Sequence, residues 1–238
     1  MALLSNVHSG LSDPTTSPQK KVYITNGYVY YHYKCDGYND VVSYYYTAWE
    51  QRTFEYSLTP LQGWGCGYRT LQTIASHLSL QQGKVGQVPT LMKIQETLVE
   101  IGDKELSFIK SRGWIGSFEV CLVIDKLFDV PCKILHCPSG VMTSIFPKLE
   151  EHFAKSSSAP PIMMGGDKDA SSKGVLGTCS VDDNRWLLVL DPHYQGGQTS
   201  AAKLQREGFV RWTHLSEFDK QSFYNICLPQ FSNVLCTI

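Results

Sequence analysis

Apolar positions recur at helical spacing after Tyr68, at Leu71, Ile74 and Leu78, and Gly83 ends the run, which predicts a helix over about 66–80. Leu91, Ile94, Leu98 and Ile101 make one face of a second helix in "VPTLMKIQETLVEIG", with Pro89 near its start. A third helix fits "SFEVCLVIDKLFD", closed by "VP", and a short fourth fits "FPKLEEHFAKS". Extended runs fall elsewhere: "CKILHC", "PIMMGG", a strong central strand in "RWLLVLDPHY", and "GFVRW" as the last strand. Near the start, "VYITNGYVYYHY" sets β-branched and aromatic residues around Asn26-Gly27, the signature of a two-strand hairpin. Helices precede and separate strands in this order, which predicts an α+β domain with a helical layer against a central sheet. No repeat or second domain interrupts that plan, so one domain is expected over 21–238. Residues 1–20 are short of apolar periodicity and rich in Ser, Thr and Pro, and are expected to form a flexible lead-in. Residues 41–62 and 167–174 read as insertions, the second an exposed loop.

Composition narrows the functions open to such a domain. The chain has 238 residues, 42% of them hydrophobic, which allows a sizeable core. With 21 Lys and Arg against 22 Asp and Glu, no basic stripe tracks a phosphate backbone, so no nucleic-acid partner is expected. No apolar run is long enough to span a bilayer, and the start "MALLSNVHSG" lacks the basic and apolar segments of an export signal. A soluble cytoplasmic monomer is the expectation. The cysteines at 35, 66, 121, 132, 137, 179, 227 and 236 show no CxxC spacing, so neither a zinc knuckle nor a redox pair is predicted. No metal and no cofactor are expected, and most of these thiols read as reduced core residues.

Cys66 stands apart from the others. It sits in "LQGWGCGYRTLQTI", where Gly63, Gly65 and Gly67 leave little side-chain mass around the sulfur and let another backbone come close. A thiol in the first turn of a helix also feels unpaired N–H groups and the positive end of the helix dipole, which favour the thiolate. Spacing alone leaves Cys66 divided between an inert packing residue and a nucleophile. Among seven histidines, His193 has the best claim to partner it. It follows "RWLLVLDP", and in an extended segment Asp191 and His193 share a side, giving the imidazole a carboxylate to fix its tautomer. The alternative is a plain Asp-Pro turn. His32, in "YYHYKCDG", divides between shaping a site and packing in a strand.

Taken together, "YHYKCDGYND", "GWGCGYRTLQTI", "RGWIGSFEV", "PIMMGG" and "LVLDPHYQG" resemble the ubiquitin-fold modifier-specific cysteine protease family over nearly the whole chain after residue 20. The resemblance implies a papain-like fold with the nucleophile at a helix N-terminus. It also implies cleavage after the C-terminal glycine of the ubiquitin-fold modifier, in both the precursor and conjugates. By the same resemblance Cys66 is the nucleophile, His193 the general base, Asp191 its orienting acid and Tyr33 the oxyanion-hole tyrosine. For Tyr33, ordinary aromatic packing is the alternative reading.

The chain departs from the family pattern in two places: "DKDASSKG" after Gly165-Gly166 departs from the shorter family connection, and residues 41–62 stand between the Asp40 region and Gly63, where the pattern runs almost without interruption. A loop that bulges outward leaves the site intact, whereas one that intrudes displaces Tyr33 or the cleft. Two rival readings keep the fold and change the function: a catalytically weak or inactive modifier-binding protein, and a protease or transferase for another ubiquitin-like modifier.

Overall fold

Residues Cys66–Gln81 form helix α1, and almost every side chain from Cys66 to Ser79 is buried. The structure is a computed structural model that describes residues 4–33, 63–138, 141–156, 158–168, 171–196 and 199–231. The expected insertion at 41–62, and with it Cys35 and Asp40, lies outside the described residues. Helices α2 (Leu91–Glu100) and α3 (Ser117–Phe128) flank α1, each close to its predicted bounds. The Thr90 side chain caps α2 by accepting from the Lys93 N–H at 3.0 Å, satisfying one of the N–H groups orphaned at a helix start. Helix α3 begins where the Glu119 carboxylate accepts from the Gly116 N–H at 2.9 Å.

The helices pack on a seven-stranded antiparallel sheet. In chain order its strands are β2 (Lys21–Ile24), β4 (Cys132–Cys137), β5 (Ile162–Gly166), β6 (Ser172–Val181), β7 (Asn184–Leu190), β8 (Val210–His214) and β9 (Tyr224–Pro229). Their spatial order is β4-β9-β5-β6-β7-β8, with β2 also paired to β6. One side of the long β6 is therefore shared: Ser172–Val175 pairs with β5 and Gly177–Ser180 with β2. Side chains alternate between faces as a pleated strand requires. Met163 and Cys227 join the cluster under α1, α2 and α3, while Ile162, Met164, Ile226 and Leu228 meet Phe146, Leu149 and Phe153 of helix α4 (Phe146–Ala154) on the other face. Both faces being covered, the sheet reads as the centre of an α+β fold, as the sequence pattern predicts. No helix among the described residues is long and apolar enough to cross a membrane.

Four expectations are corrected. The chain turns at Gly27, whose φ is +75°, but its flanking strands do not pair as a hairpin. Strand β2 joins β6, while β3 (Val29–Tyr30) pairs with β1 (Leu4–Ser5) in a separate small sheet. A glycine makes the first pairing possible: a Cβ on Gly177 would lie 2.2 Å from the Tyr23 carbonyl oxygen. Residues 4–20 are not a loose lead-in. Val7 is fully buried with Tyr28, Tyr30 and Leu204, a single apolar anchor that average composition hides. Its neighbours are bonded as well, with His8 Nδ1 2.7 Å from the Tyr28 hydroxyl and the Gln205 amide donating to the Val7 carbonyl at 2.8 Å. Of the expected loop at 167–174, residues from Ser172 onward belong to β6, because their backbone groups complete the ladder with β5. Finally, "GFVRW" is not the last strand: β9 follows it and inserts between β4 and β5.

The close approach at Gly177 gives a direct test. Gly177→Ala forces a methyl group against the β2 backbone, and overpacking of this kind costs about 1–3 kcal/mol. Denaturant unfolding should show that loss, and an unchanged midpoint would refute the pairing of β2 with β6.

Candidate active site

The site is built where α1 starts. Gly65 occupies the position before the helix and offers no side-chain cap, and no acidic residue sits in the first turn. The first N–H groups of that turn have no partners within the helix. Gly67 is required by packing, since a Cβ there would lie 2.4 Å from the Ile115 carbonyl oxygen. Gly63 has φ of +88° and open space around it, so the chain reaches the helix through a left-handed turn that side chains avoid. Cys66 itself is 2% exposed and reduced. The Ser172 N–H at the start of β6 points at its sulfur, 3.4 Å away.

His193 faces the same sulfur across the cleft. Its Nδ1 pairs with Asp191 Oδ1, and that oxygen also accepts from the His193 backbone N–H at 2.9 Å. Asp191 and His193 thus meet, but strand alternation is not the cause. Strand β7 ends at Leu190, and the two residues lie in a turn that the carboxylate closes on itself. The backbone of this turn is pinned at three points. The Asp191 N–H donates to the Phe209 carbonyl at 2.7 Å, the Tyr30 hydroxyl donates to the Asp191 carbonyl at 2.5 Å, and the Tyr33 N–H donates to the Pro192 carbonyl at 3.1 Å.

Tyr33 completes the group. Its ring meets the His193 ring edge-on with centroids 5.0 Å apart, and it packs in the cluster that contains Cys66. Its hydroxyl is buried beside the Cys66 sulfur and the Gly63 N–H, with no hydrogen bond of ordinary geometry to either among the described residues. Burial first, and then the charge of the Cys66 thiolate, hold its phenol well above the ordinary range. All four residues singled out in the sequence, Cys66, Asp191, His193 and Tyr33, are therefore neighbours. His32 is not one of the group. It is buried between the rings of Tyr30 and Tyr194, and burial, then the charge of Arg69, push its pKa down to about 4. Ser172 and Tyr30 were missed because one contributes only a backbone N–H and the other braces a turn; neither role leaves a mark in sequence.

The electrostatics favour an ion pair. Burial works against ionising Cys66, but the hydrogen bond from His193, the Ser172 N–H and the imidazolium charge outweigh it and lower the thiol pKa. Burial likewise disfavours a charged His193, yet the Asp191 carboxylate and the Cys66 sulfur raise it to about 9. Asp191 is lowered against its burial by the same imidazole. The thiol is thus lowered and the imidazole raised, each toward the charged pair that a thiol nucleophile needs.

Thiol-dependent acyl transfer draws on each of these arrangements, and the helix-on-sheet frame that carries them makes the molecule a papain-like cysteine peptidase. More narrowly, the chain belongs to Peptidase family C78, whose sequence model matches residues 40–227. It is 39% identical over 227 residues to the Probable Ufm1-specific protease 1 of Drosophila melanogaster, covering 95% of this chain and 86% of that protein. It is 37% identical over 233 residues to the Ufm1-specific protease 1 of Mus musculus, covering 97% and 95% of the two chains. Among solved structures it is similar to UfSP from C. elegans, with a TM-score of 0.71 and 29% identity, covering 97% of this chain and 38% of that one.

The ion pair predicts a pH profile. The thiolate is lost as pH falls below the lowered Cys66 value, and the imidazolium is lost as pH rises through about 9. Alkylation of Cys66 by iodoacetamide should therefore set in at lower pH than for an ordinary thiol. His193→Ala should shift that profile to higher pH, and Asp191→Asn should pull the alkaline limb of turnover downward. Identical alkylation profiles for wild type and His193→Ala would remove the pair.

Proposed function

We propose that this chain is a protease for a ubiquitin-fold modifier, maturing its precursor and releasing it from target proteins by cleavage after its C-terminal glycine. The observation that carries this reading is the length of the likeness. The Drosophila and mouse relatives named Ufm1-specific protease 1 align over most of both chains, whereas the relative named Ufm1-specific protease 2 in Homo sapiens is covered over only 45% of its length. Modifier precursor and modifier conjugates are its partners, it acts as a monomer in the cytoplasm, and no cofactor takes part.

In this proposal Cys66 is the nucleophile. Its thiolate attacks the carbonyl carbon of the terminal glycine, and the negative charge moves to the carbonyl oxygen. The Tyr33 hydroxyl and the Cys66 backbone N–H receive that oxyanion, which suits a hydroxyl with no hydrogen-bond partner among the described residues. His193 protonates the leaving amine, leaving a thioester on Cys66. Water, deprotonated by His193, then attacks the thioester carbonyl and frees the modifier. Asp191 holds the imidazole with Nδ1 toward itself throughout, so that Nε2 serves the thiol. The open backbone at Gly63 admits a tail with little side-chain mass. Selectivity among modifiers with similar tails needs a second surface. Trp114 and Phe118, both about half exposed, flank Ile115 beside Gly67 and supply an apolar face for the modifier's folded body.

An electrophilic probe built on the C-terminus of Ufm1 tests the proposal. It should label wild type and not Cys66→Ala, while equivalent probes built on ubiquitin or other modifiers should not label. Labelling by a different modifier would favour the reading as another protease, and binding without labelling would favour the inactive binder. Tyr33→Phe should cost about 2.7–4 kcal/mol of transition-state stabilisation, read as a fall in kcat with little change in binding. Turnover equal to wild type in Tyr33→Phe would return Tyr33 to ordinary packing. Trp114→Ala should raise KM for the folded modifier with kcat preserved, and should leave cleavage of a short C-terminal peptide unchanged.

A further inference from the structure

Three cysteines far apart in sequence converge beneath the helical layer. Cys121 comes from α3, Cys132 from the first position of β4, and Cys227 from β9, and their Sγ atoms all lie within 4.8 Å of one another. All three are reduced, and the Cys121 and Cys227 sulfurs are 2.8 Å apart. We propose that Cys121, Cys132 and Cys227 form a binding site for one soft, thiophilic metal ion, Cu(I) in preference to Zn(II), that ties helix α3 to strands β4 and β9.

Sulfur atoms that each sit about 2.3 Å from a common metal are at most about 4.6 Å apart, so an ion draws together three sulfurs that lie within 4.8 Å of one another and spreads Cys121 from Cys227, which stand 2.8 Å apart without it. The donors are all sulfur, which selects thiophilic ions over Mg(II), Ca(II) or Mn(II). Their number decides between the remaining candidates. Structural zinc takes four ligands, and among the described residues no fourth His, Cys, Asp or Glu joins the group, whereas three sulfurs complete a low-coordinate Cu(I) site. Cys121 and Cys227 are buried and Cys132 is only partly so, which leaves a way in from solvent on one side.

Binding of Cu(I) to the three thiols forms three copper–sulfur bonds, breaks three S–H bonds and releases three protons to water. No electron is transferred. Sequence spacing could not reveal this site, because none of the three is near another along the chain.

The test is anaerobic competition for Cu(I) against the chromophoric chelator bicinchoninate, using the full, reduced chain. Wild type and Cys66→Ala should each withdraw one equivalent of copper, with a new sulfur-to-copper absorption in the near ultraviolet. Cys132→Ser, the least buried of the three and so the most tolerant of a polar substitute, should lose that equivalent while keeping a native circular dichroism spectrum. Cys137→Ser and Cys179→Ser should keep it. Cu(I) should raise the Tm of wild type and leave that of Cys132→Ser unchanged. Failure of wild type to withdraw copper, or loss of the equivalent in Cys66→Ala with retention in Cys132→Ser, overturns the site. Tighter retention of Zn(II) than of Cu(I) overturns the choice of ion, and a Cys121–Cys227 disulfide in the protein isolated with its thiols blocked overturns the proposal as a whole.

Discussion

Helix α1 is buried along almost its whole length, and the position of the reactive thiol follows from that single constraint. A buried helix cannot turn its polar residues to water, and each one left unsatisfied costs about 1–3 kcal/mol. In α1 several are bonded to the surrounding structure, so the bonds also act as tethers. The Gln72 amide donates to the Pro89 carbonyl at 2.9 Å, and Gln72 accepts from Arg69 at 2.7 Å. The two His77 ring nitrogens lie 3.0 Å from the carbonyls of Asn26 and Ser158. The Ser76 hydroxyl accepts from the Val29 N–H at 2.9 Å. A helix tied to this many separate segments has one register, and its uncapped first turn has one place to point.

That fixed end is useful because the groups around it are not fully satisfied. Helix starts commonly carry a Ser, Thr, Asp or Asn cap, worth about 0.5–2 kcal/mol over alanine, and α1 begins at Gly65 without one. The Tyr33 hydroxyl is likewise buried without a hydrogen-bond partner among the described residues. Both cost stability in the resting protein. In the proposed mechanism a developing negative charge beside Cys66 meets these donors without rearrangement, the condition under which electrostatic stabilisation of a transition state is greatest. The rest of the core is saturated enough to carry that cost, with Leu71, Ile74, Leu78, Val120 and Ile124 all fully buried.

What the sequence made legible and what it hid divide along physical lines. Helices with one periodic apolar face, such as α1 and α2, were readable because local spacing is what buries them. Cys66 and the Asp191–His193 pair were readable because each signal lies within a few residues. The pair formed through a turn and not through strand alternation, so the right neighbours were reached by the wrong geometry. Strand partners were hidden because pairing is non-local: β2 chose β6 over β3, and β9 inserted between two strands that precede it. The start of β6 read as an exposed loop from "DKDASSKG", yet it is Ser172 in that stretch whose N–H reaches the thiol. Backbone donors have no residue identity, so no composition argument finds them. Tyr33 was one of thirteen tyrosines, and only a family resemblance distinguished it.

The same bonds explain how the site coexists with a long stretch of chain between two of its members. Tyr33 precedes residues 34–62 and Cys66 follows them, so on sequence alone any added length there threatens their distance. Among the described residues, each of the two has its own anchor. The Tyr33 N–H is held on the Pro192 carbonyl, one residue from His193, while the Tyr30 hydroxyl holds the Asp191 carbonyl. Tyr33 and His193 are thereby braced by the same two segments, 30–33 and 191–193, and Cys66 is braced by the buried length of α1. Loop-closure entropy grows by only about 0.6 kcal/mol for each doubling of length, so added length costs little by itself where residues 30–33 keep their hold on the turn that carries His193.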